Sequence, residues 1–379
     1  MSIAATPGGL QHKLSPRFPA IDILRGFAAL SVVVYHVIEH YKWTSFPTGG
    51  LLVWFRIGWI GVDLFLVISG FVISLSIHSL VQQFSHRKFL VEFARRRFLR
   101  IIPLYYTTCV VFILFNAPYM IPHPGFYKQL LMHILFIHNI SIDYHGSIDG
   151  PNWSVALEVQ FYLLCALLAP VLFRARWWHV AVGALAITWA WRIAAILLIR
   201  LDQPSSIYRL FIAVTQLPGT LDEFAVGFVL ARLVLSPAGA RLLIWGRRFA
   251  VVPVGLAALA IWALMTTYWA RSSFWDVPGM VIVWHSSCGI TFGIVLLAAC
   301  CLNQPWFLRI TLPLQYLGTI SFGIYLWHLP VLMAIQRIEW LDPERALYYI
   351  LAGTLVMAAG SWHLFEKPAL GVQSRLCVI

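Results

Sequence analysis

The chain is short of charge. Only 11% of its 379 residues are Asp, Glu, Lys or Arg, whereas 60% are hydrophobic. A soluble protein of this size cannot keep its surface wet with so few charges, which argues against a soluble enzyme or a soluble nucleic-acid binder. No segment is both long and polar enough to form a separate soluble domain. The first twenty residues carry no cleavable signal pattern. The 6 cysteines lack metal-ligand spacing and lie mostly in apolar runs, where they read as small packing residues, so no metal is expected. No internal repeat of the kind that builds two-halved transporters is visible.

What the chain has instead is apolar runs of about twenty residues, each long enough to cross a bilayer as a helix. Ten spans are expected, at 22–41, 58–79, 101–118, 153–173, 178–199, 208–233, 249–269, 280–302, 314–336 and 346–364. The fold class is therefore an all-α polytopic integral membrane protein, with residues 22–364 as the membrane domain and tails at 1–21 and 365–379. The stretch 126–140, "FYKQLLMHILFIHNI", is apolar but short, and reads as an interfacial or re-entrant helix. The net charge of +12 then concerns topology rather than nucleic acid. Most Lys and Arg fall in one alternating set of connections, led by "RKFLVEFARRRFLR" (87–100), which predicts that both termini are cytoplasmic.

The first span, "IDILRGFAALSVVVYHVIEHY" (21–41), carries ionisable groups. Eleven residues separate Arg25 from His36, almost three helical turns, so the two share a face and lie roughly 16 Å apart along the axis. Asp22 lies one turn below Arg25, and His40 one turn above His36. Ionisable side chains facing lipid are costly, so this stripe should face the bundle interior. Snorkelling explains Arg25 alone, and a satisfied core histidine explains His36 alone. Two such residues at one azimuth point more strongly to a site.

Further motifs follow in order: "GWIGVDLFLVISGFVIS" (58–74), "RRRFLRIIPLYY" (95–106), "GPNWSVALEVQFYLL" (150–164), "SFGIYLWHLPV" (321–331) and "FEKP" (365–368). Together with Arg25 and His36, this series resembles the membrane-bound acyltransferase 3 family over nearly the whole chain, in the form without a fused esterase-like domain. The resemblance implies a bacterial cytoplasmic-membrane enzyme. It would take an acyl group, usually acetyl, from cytoplasmic acyl-CoA and pass it to a hydroxyl of a carbohydrate or lipid-linked glycan.

With that resemblance, Arg97 and Arg100, three apart on one helical face, become phosphate ligands for the coenzyme, joined by Arg25. Arg95 and Arg96 read as a topology signal. His36 becomes the general base, with Asp63 or Glu158 holding its imidazole. Asp63 needs a buried partner, and an arginine or histidine of the first helix is a candidate. Glu158 serves equally as a contact to the acceptor or as a helix–helix hydrogen bond. Trp153 and Ser154 are candidate acceptor contacts, although a belt tryptophan and a helix cap explain them as well. Tyr325 and His328 share a stripe with Ser321 and complete the substrate-binding set. Glu366 reads as a structural partner for basic residues. A proton-coupled transporter would also bury Arg, His, Asp and Glu in its spans, and is the competing class.

Overall fold

The structure, a computed structural model, describes residues 18–199, 206–271 and 274–370. Among the described residues the architecture is helical throughout. Its α-helices in chain order are α1 (Pro19–His40), α2 (Gly61–Gln83), α3 (His86–Val111), α4 (Phe126–Ile134), α5 (Trp153–Arg174), α6 (Trp177–Leu198), α7 (Ser206–Val214) and α8 (Leu217–Val234). They continue with α9 (Pro237–Arg248), α10 (Val251–Trp269), α11 (Pro278–Cys301), α12 (Pro305–Ile310), α13 (Leu312–Thr319), α14 (Ser321–Gln336) and α15 (Pro343–Ser361). Among the described residues, eight helical segments are long and apolar enough to cross a membrane, and up to ten if two bent pairs each count as one span. The protein is a polytopic α-helical membrane protein.

The two bent pairs explain where the expected boundaries shift. The expected span 314–336 is α13 and α14, which meet at 67°. The expected span 208–233 divides into α7 and α8, and α8 then meets α9 at 89°. Residues 80–100 are not a loop: α2 runs to Gln83 and α3 starts at His86. The reason lies in the spacing of Phe89, Phe93 and Ile101, which sit on one side of α3 and are buried against the core. The arginine cluster therefore rides on a helix that continues into the membrane. Helix α4 has 9 residues, too few to cross, as its sequence implied. Residues 1–17 and 371–379 of the expected tails lie outside the described residues, whereas Pro19–Ile21 already belong to α1 and the last helical segment reaches Leu370.

Helices α1, α2, α8, α11 and α14 form the buried centre, and α6 and α10 turn most of their surface outward. With no hydrophobic driving force between helices in lipid, close approach relies on small residues. Gly70 of α2 and Gly227 of α8 show this reciprocally. A Cβ on Gly70 would lie 2.1 Å from the Phe224 carbonyl oxygen, and one on Gly227 would lie 2.0 Å from that of Val67. The start of α1 is held similarly, since a Cβ on Gly318 would lie 1.8 Å from the Asp22 carbonyl oxygen. These contacts bring α1, α2, α8 and α13 together around the polar residues described next.

Arg192 of α6 is fully buried and fully occupied. It donates to the carbonyls of Gly219 and Ile282, to Ser286 Oγ and to Asp222 Oδ1. One guanidinium thus ties α6, α8 and α11 together, and the adjacent Asp222 carboxylate supplies its countercharge.

Candidate active site

Two cavities lie back to back in the bundle. The first, about 80 Å³, is walled by Arg25 of α1, Arg97 and Arg100 of α3, and Glu158 and Tyr162 of α5. The second, about 720 Å³, is walled by His36 and His40 of α1, Trp153, Asp63, Glu223 and a ring of aromatic residues. Val62, Leu66 and Tyr325 belong to both walls and separate the two spaces.

The structure brings the three arginines of the sequence reading to one cavity. Arg97 and Arg100 share a face of α3 and join Arg25 across the same space. The Arg97 guanidinium lies between the rings of Phe93 and Tyr162, 5.6 and 5.5 Å from their centroids, and its buried Nε has no hydrogen-bond partner. Stacking of this kind orients a guanidinium while leaving its donors for an anion. Arg95 and Arg96 instead pair with Glu92 at 2.9 and 2.6 Å, one turn away on α3, outside the cavity. Glu158 accepts from Ser69 Oγ at 2.9 Å and from Tyr162 OH. It therefore belongs to the arginine cavity.

The expected link between His36 and a carboxylate is absent. His36 Nδ1 lies 2.9 Å from the Val32 carbonyl oxygen and 3.2 Å from His328 Nε2. Asp63 is bonded to His285 Nδ1 at 2.5 Å, and Glu158 is occupied on the other side of the partition. The physical reason is local: the carbonyl four residues back on the same helix is within reach of the ring, whereas Asp63 on α2 is taken up by α11. A carbonyl only accepts, so Nδ1 of His36 carries the proton, and Nε2 of the neutral ring holds the lone pair.

His328 also departs from expectation. It is fully buried, with Nδ1 2.6 Å from the Tyr325 carbonyl oxygen. It stands behind His36 rather than on a cavity wall, and its Nε2 lone pair faces the His36 Nδ1–H. Trp153 does line the large cavity, stacked on His145 with ring centroids 5.4 Å apart. Burial pushes the His145 imidazole down to about 4, so it is a neutral aromatic wall rather than a cation at neutral pH. Ser154 faces the arginine cavity instead. Ser154 Oγ, Tyr325 OH and the Pro151 carbonyl close a hydrogen-bonded triangle with sides of 2.6, 3.0 and 3.1 Å.

Sequence reasoning missed Tyr162, Glu223 and His285. The signal for the last two was present: each is an ionisable residue in the middle of an apolar helix, in "LDEFAVGF" and "VIVWHSSCG". Tyr162 gave no signal apart from lying one turn beyond Glu158. Among the described residues, Asp63, Glu223 and His285 form a group whose oxygen and nitrogen atoms lie within 4.8 Å of one another.

A bundle of membrane helices that sets an arginine-lined cavity against a histidine-lined one has the layout of a membrane-embedded group-transfer enzyme. The comparisons agree. Residues 18–366 match the family model described as an acyltransferase domain, and the chain belongs to that family. It is similar to the peptidoglycan O-acetyltransferase OatA of Listeria monocytogenes, 28% identical, with 92% of this chain and 55% of that protein aligned. It is also similar to the putative peptidoglycan O-acetyltransferase YrhL of Bacillus subtilis, 26% identical, with 92% of this chain and 54% of that protein aligned. The O-acetyltransferase OatA of Staphylococcus aureus is 25% identical, over 95% of this chain and 58% of that protein. The chain thus spans about half the length of the curated relatives it matches. No solved structure matches it. Membership of this family favours group transfer over the transporter reading.

Proposed function

We propose that this protein, set in a bacterial cytoplasmic membrane with both termini inside the cell, transfers an acetyl group from acetyl-CoA to a hydroxyl of a glycan or glycolipid. The observation that carries the reading is the placement of three arginines and a histidine in adjoining cavities that share one wall. Arg25, Arg97 and Arg100 offer guanidinium donors to the phosphates of the coenzyme. The pantetheine arm reaches toward the wall formed by Val62, Leu66 and Tyr325, which must open for the thioester to meet an acceptor on the other side.

In the transfer step the acceptor oxygen attacks the thioester carbonyl. His36 Nε2 takes the hydroxyl proton as the new C–O bond forms. The C–S bond then breaks, and the leaving thiolate takes that proton from the imidazolium to give free coenzyme A. The Val32 carbonyl and His328 hold the ring in the tautomer that makes Nε2 the base. The apolar partition keeps bulk water from the thioester and limits hydrolysis. The names of the similar proteins support a glycan acceptor.

The test uses the full purified chain in detergent with acetyl-CoA and a peptidoglycan-derived muropeptide. Thiol release that depends on the acceptor, matched by acetylated product in mass spectrometry, supports the reading. No thiol release and no product from folded protein would reject it. Acetylated His36 after donor addition without acceptor would replace direct transfer with a two-step relay through the imidazole.

A further inference from the structure

The reaction just described leaves three polar side chains of the large cavity without a role: Asp63 on α2, Glu223 on α8 and His285 on α11. They are 3%, 1% and 6% exposed, so their hydrogen bonds must be found inside the protein or in a ligand. His285 Nδ1–H donates to Asp63 Oδ1 at 2.5 Å, which makes Nε2 of the neutral ring an acceptor, and that atom has no partner. Both oxygens of Glu223 are also without a hydrogen bond. Arg192 Nη2 is 3.8 Å from Glu223 Oε1, but its hydrogen bonds go elsewhere. Three acceptor atoms are therefore unmatched, and their residues all line the same cavity.

The surroundings narrow the occupant. The Trp59 ring centroid lies 5.8 Å from that of His285, and Phe274 stacks on Trp59 with centroids 6.0 Å apart. An aromatic face beside bare acceptors suits a molecule with both C–H faces and O–H donors. A divalent cation also fits the residue types, since His285 Nε2 is free to ligate while Asp63 holds Nδ1, and the experiment below tells the two occupants apart. The Arg192 guanidinium beside Glu223 has its countercharge in Asp222 and its hydrogen bonds elsewhere, which leaves the Glu223 oxygens open to hydroxyl donors.

We propose that Glu223 and the Asp63–His285 pair form a subsite that binds the hydroxyls of a neutral sugar ring, with Trp59 packed against the ring. The proposal rests on the glycan-acceptor reading above and names the residues that would recognise that acceptor. Glu223 fixes the ring through two oxygens, and His285 Nε2 accepts a third hydroxyl.

The experiment measures binding of two neutral β-linked probes, chitopentaose and cellopentaose, to the full chain in detergent by titration calorimetry. Acetyl-CoA binding is measured in parallel on the same preparation. Wild-type protein should bind at least one probe, and Glu223→Gln, which replaces one acceptor oxygen by an NH₂ group, should weaken that binding about 10-fold. Glu223→Asp and Trp59→Ala, checked by thermal unfolding, should weaken it as well and guard against a single variant that fails to fold. Unchanged sugar affinity in folded Glu223→Gln, or no affinity of wild-type protein for either probe, would overturn the subsite. Sugar binding lost in EDTA and restored by Zn²⁺ would overturn it in favour of a metal centre. Failure of the donor reading would show separately, as absent acetyl-CoA binding with sugar binding intact.

Discussion

His328 Nε2 lies 3.2 Å from His36 Nδ1, with the two ring centroids 5.0 Å apart. Because the Tyr325 carbonyl takes the His328 Nδ1 proton, the nitrogen facing His36 is an acceptor. His328 thus helps to keep the His36 proton on Nδ1. His328→Ala is expected to lower kcat with little change in either KM. The loss should be smaller than the roughly 10²–10⁴-fold effect of removing a general base itself. His328→Gln, whose amide oxygen can accept the same proton, should recover part of the rate. A merely structural histidine would not give that rescue.

For His36 itself, both His36→Ala and His36→Gln should abolish transfer while acetyl-CoA still binds. Glutamine keeps a hydrogen-bonding group but no useful basicity, so near-normal turnover by folded His36→Gln would remove the residue from the chemistry. In wild-type protein the rate should rise with pH on the acid side, because only the neutral imidazole accepts a proton. Measuring kcat against pH at saturating substrate, down to the acid limit at which the protein stays folded, checks the sign.

Arg97→Ala and Arg100→Ala should each weaken acetyl-CoA binding by roughly 1.5–3 kcal/mol, the worth of a hydrogen bond to a charged group. Lysine should restore only part of the loss, because it lacks the planar fork. Arg95→Ala and Arg96→Ala should leave donor affinity nearly unchanged, since both side chains point to Glu92 outside the cavity. Equal losses at all four positions, read by calorimetry, would mean that α3 acts through its net charge alone.

Tyr325 is the polar member of the partition. Tyr325→Phe removes the hydroxyl from the triangle with Ser154 and Pro151. The wall should loosen, and thiol release from acetyl-CoA without acceptor should increase relative to acceptor-dependent transfer. Thiol release in both conditions gives that ratio directly.

The orientation has its own test. Lys88 is exposed at the start of α3. A Lys88→Cys variant should resist an impermeant thiol reagent in intact cells and react after the membrane is opened. Ready labelling from outside would place the arginine cavity on the wrong side for a cytoplasmic donor.

Much of this arrangement was legible in the sequence, and the parts that were not share a cause. Helical periodicity put Arg25 and His36 on one face, and Arg97 and Arg100 on another, because those relations hold within a single helix. What periodicity cannot supply is which helices meet. The pairing of Asp63 with His285 joins positions 222 residues apart, and the contact of His36 with His328 joins positions 292 apart. Sequence alone leaves Asp63 or Glu158 as the carboxylate for His36, whereas each has a partner on another helix. The bend between α13 and α14 was hidden for a related reason: the segment is apolar on both sides of it.

The partition has a consequence beyond catalysis. Where the arginine and histidine cavities meet, Val62, Leu66 and Tyr325 are the side chains they hold in common. In the orientation proposed above, with one cavity facing each side of the membrane, they would serve as the membrane's electrical insulation in place of a full thickness of hydrocarbon. A cell that stores energy as an ion gradient would lose some of it through any variant that widens this wall, even one that speeds acyl transfer. The bulk of these three side chains is thus constrained by permeability as well as by chemistry.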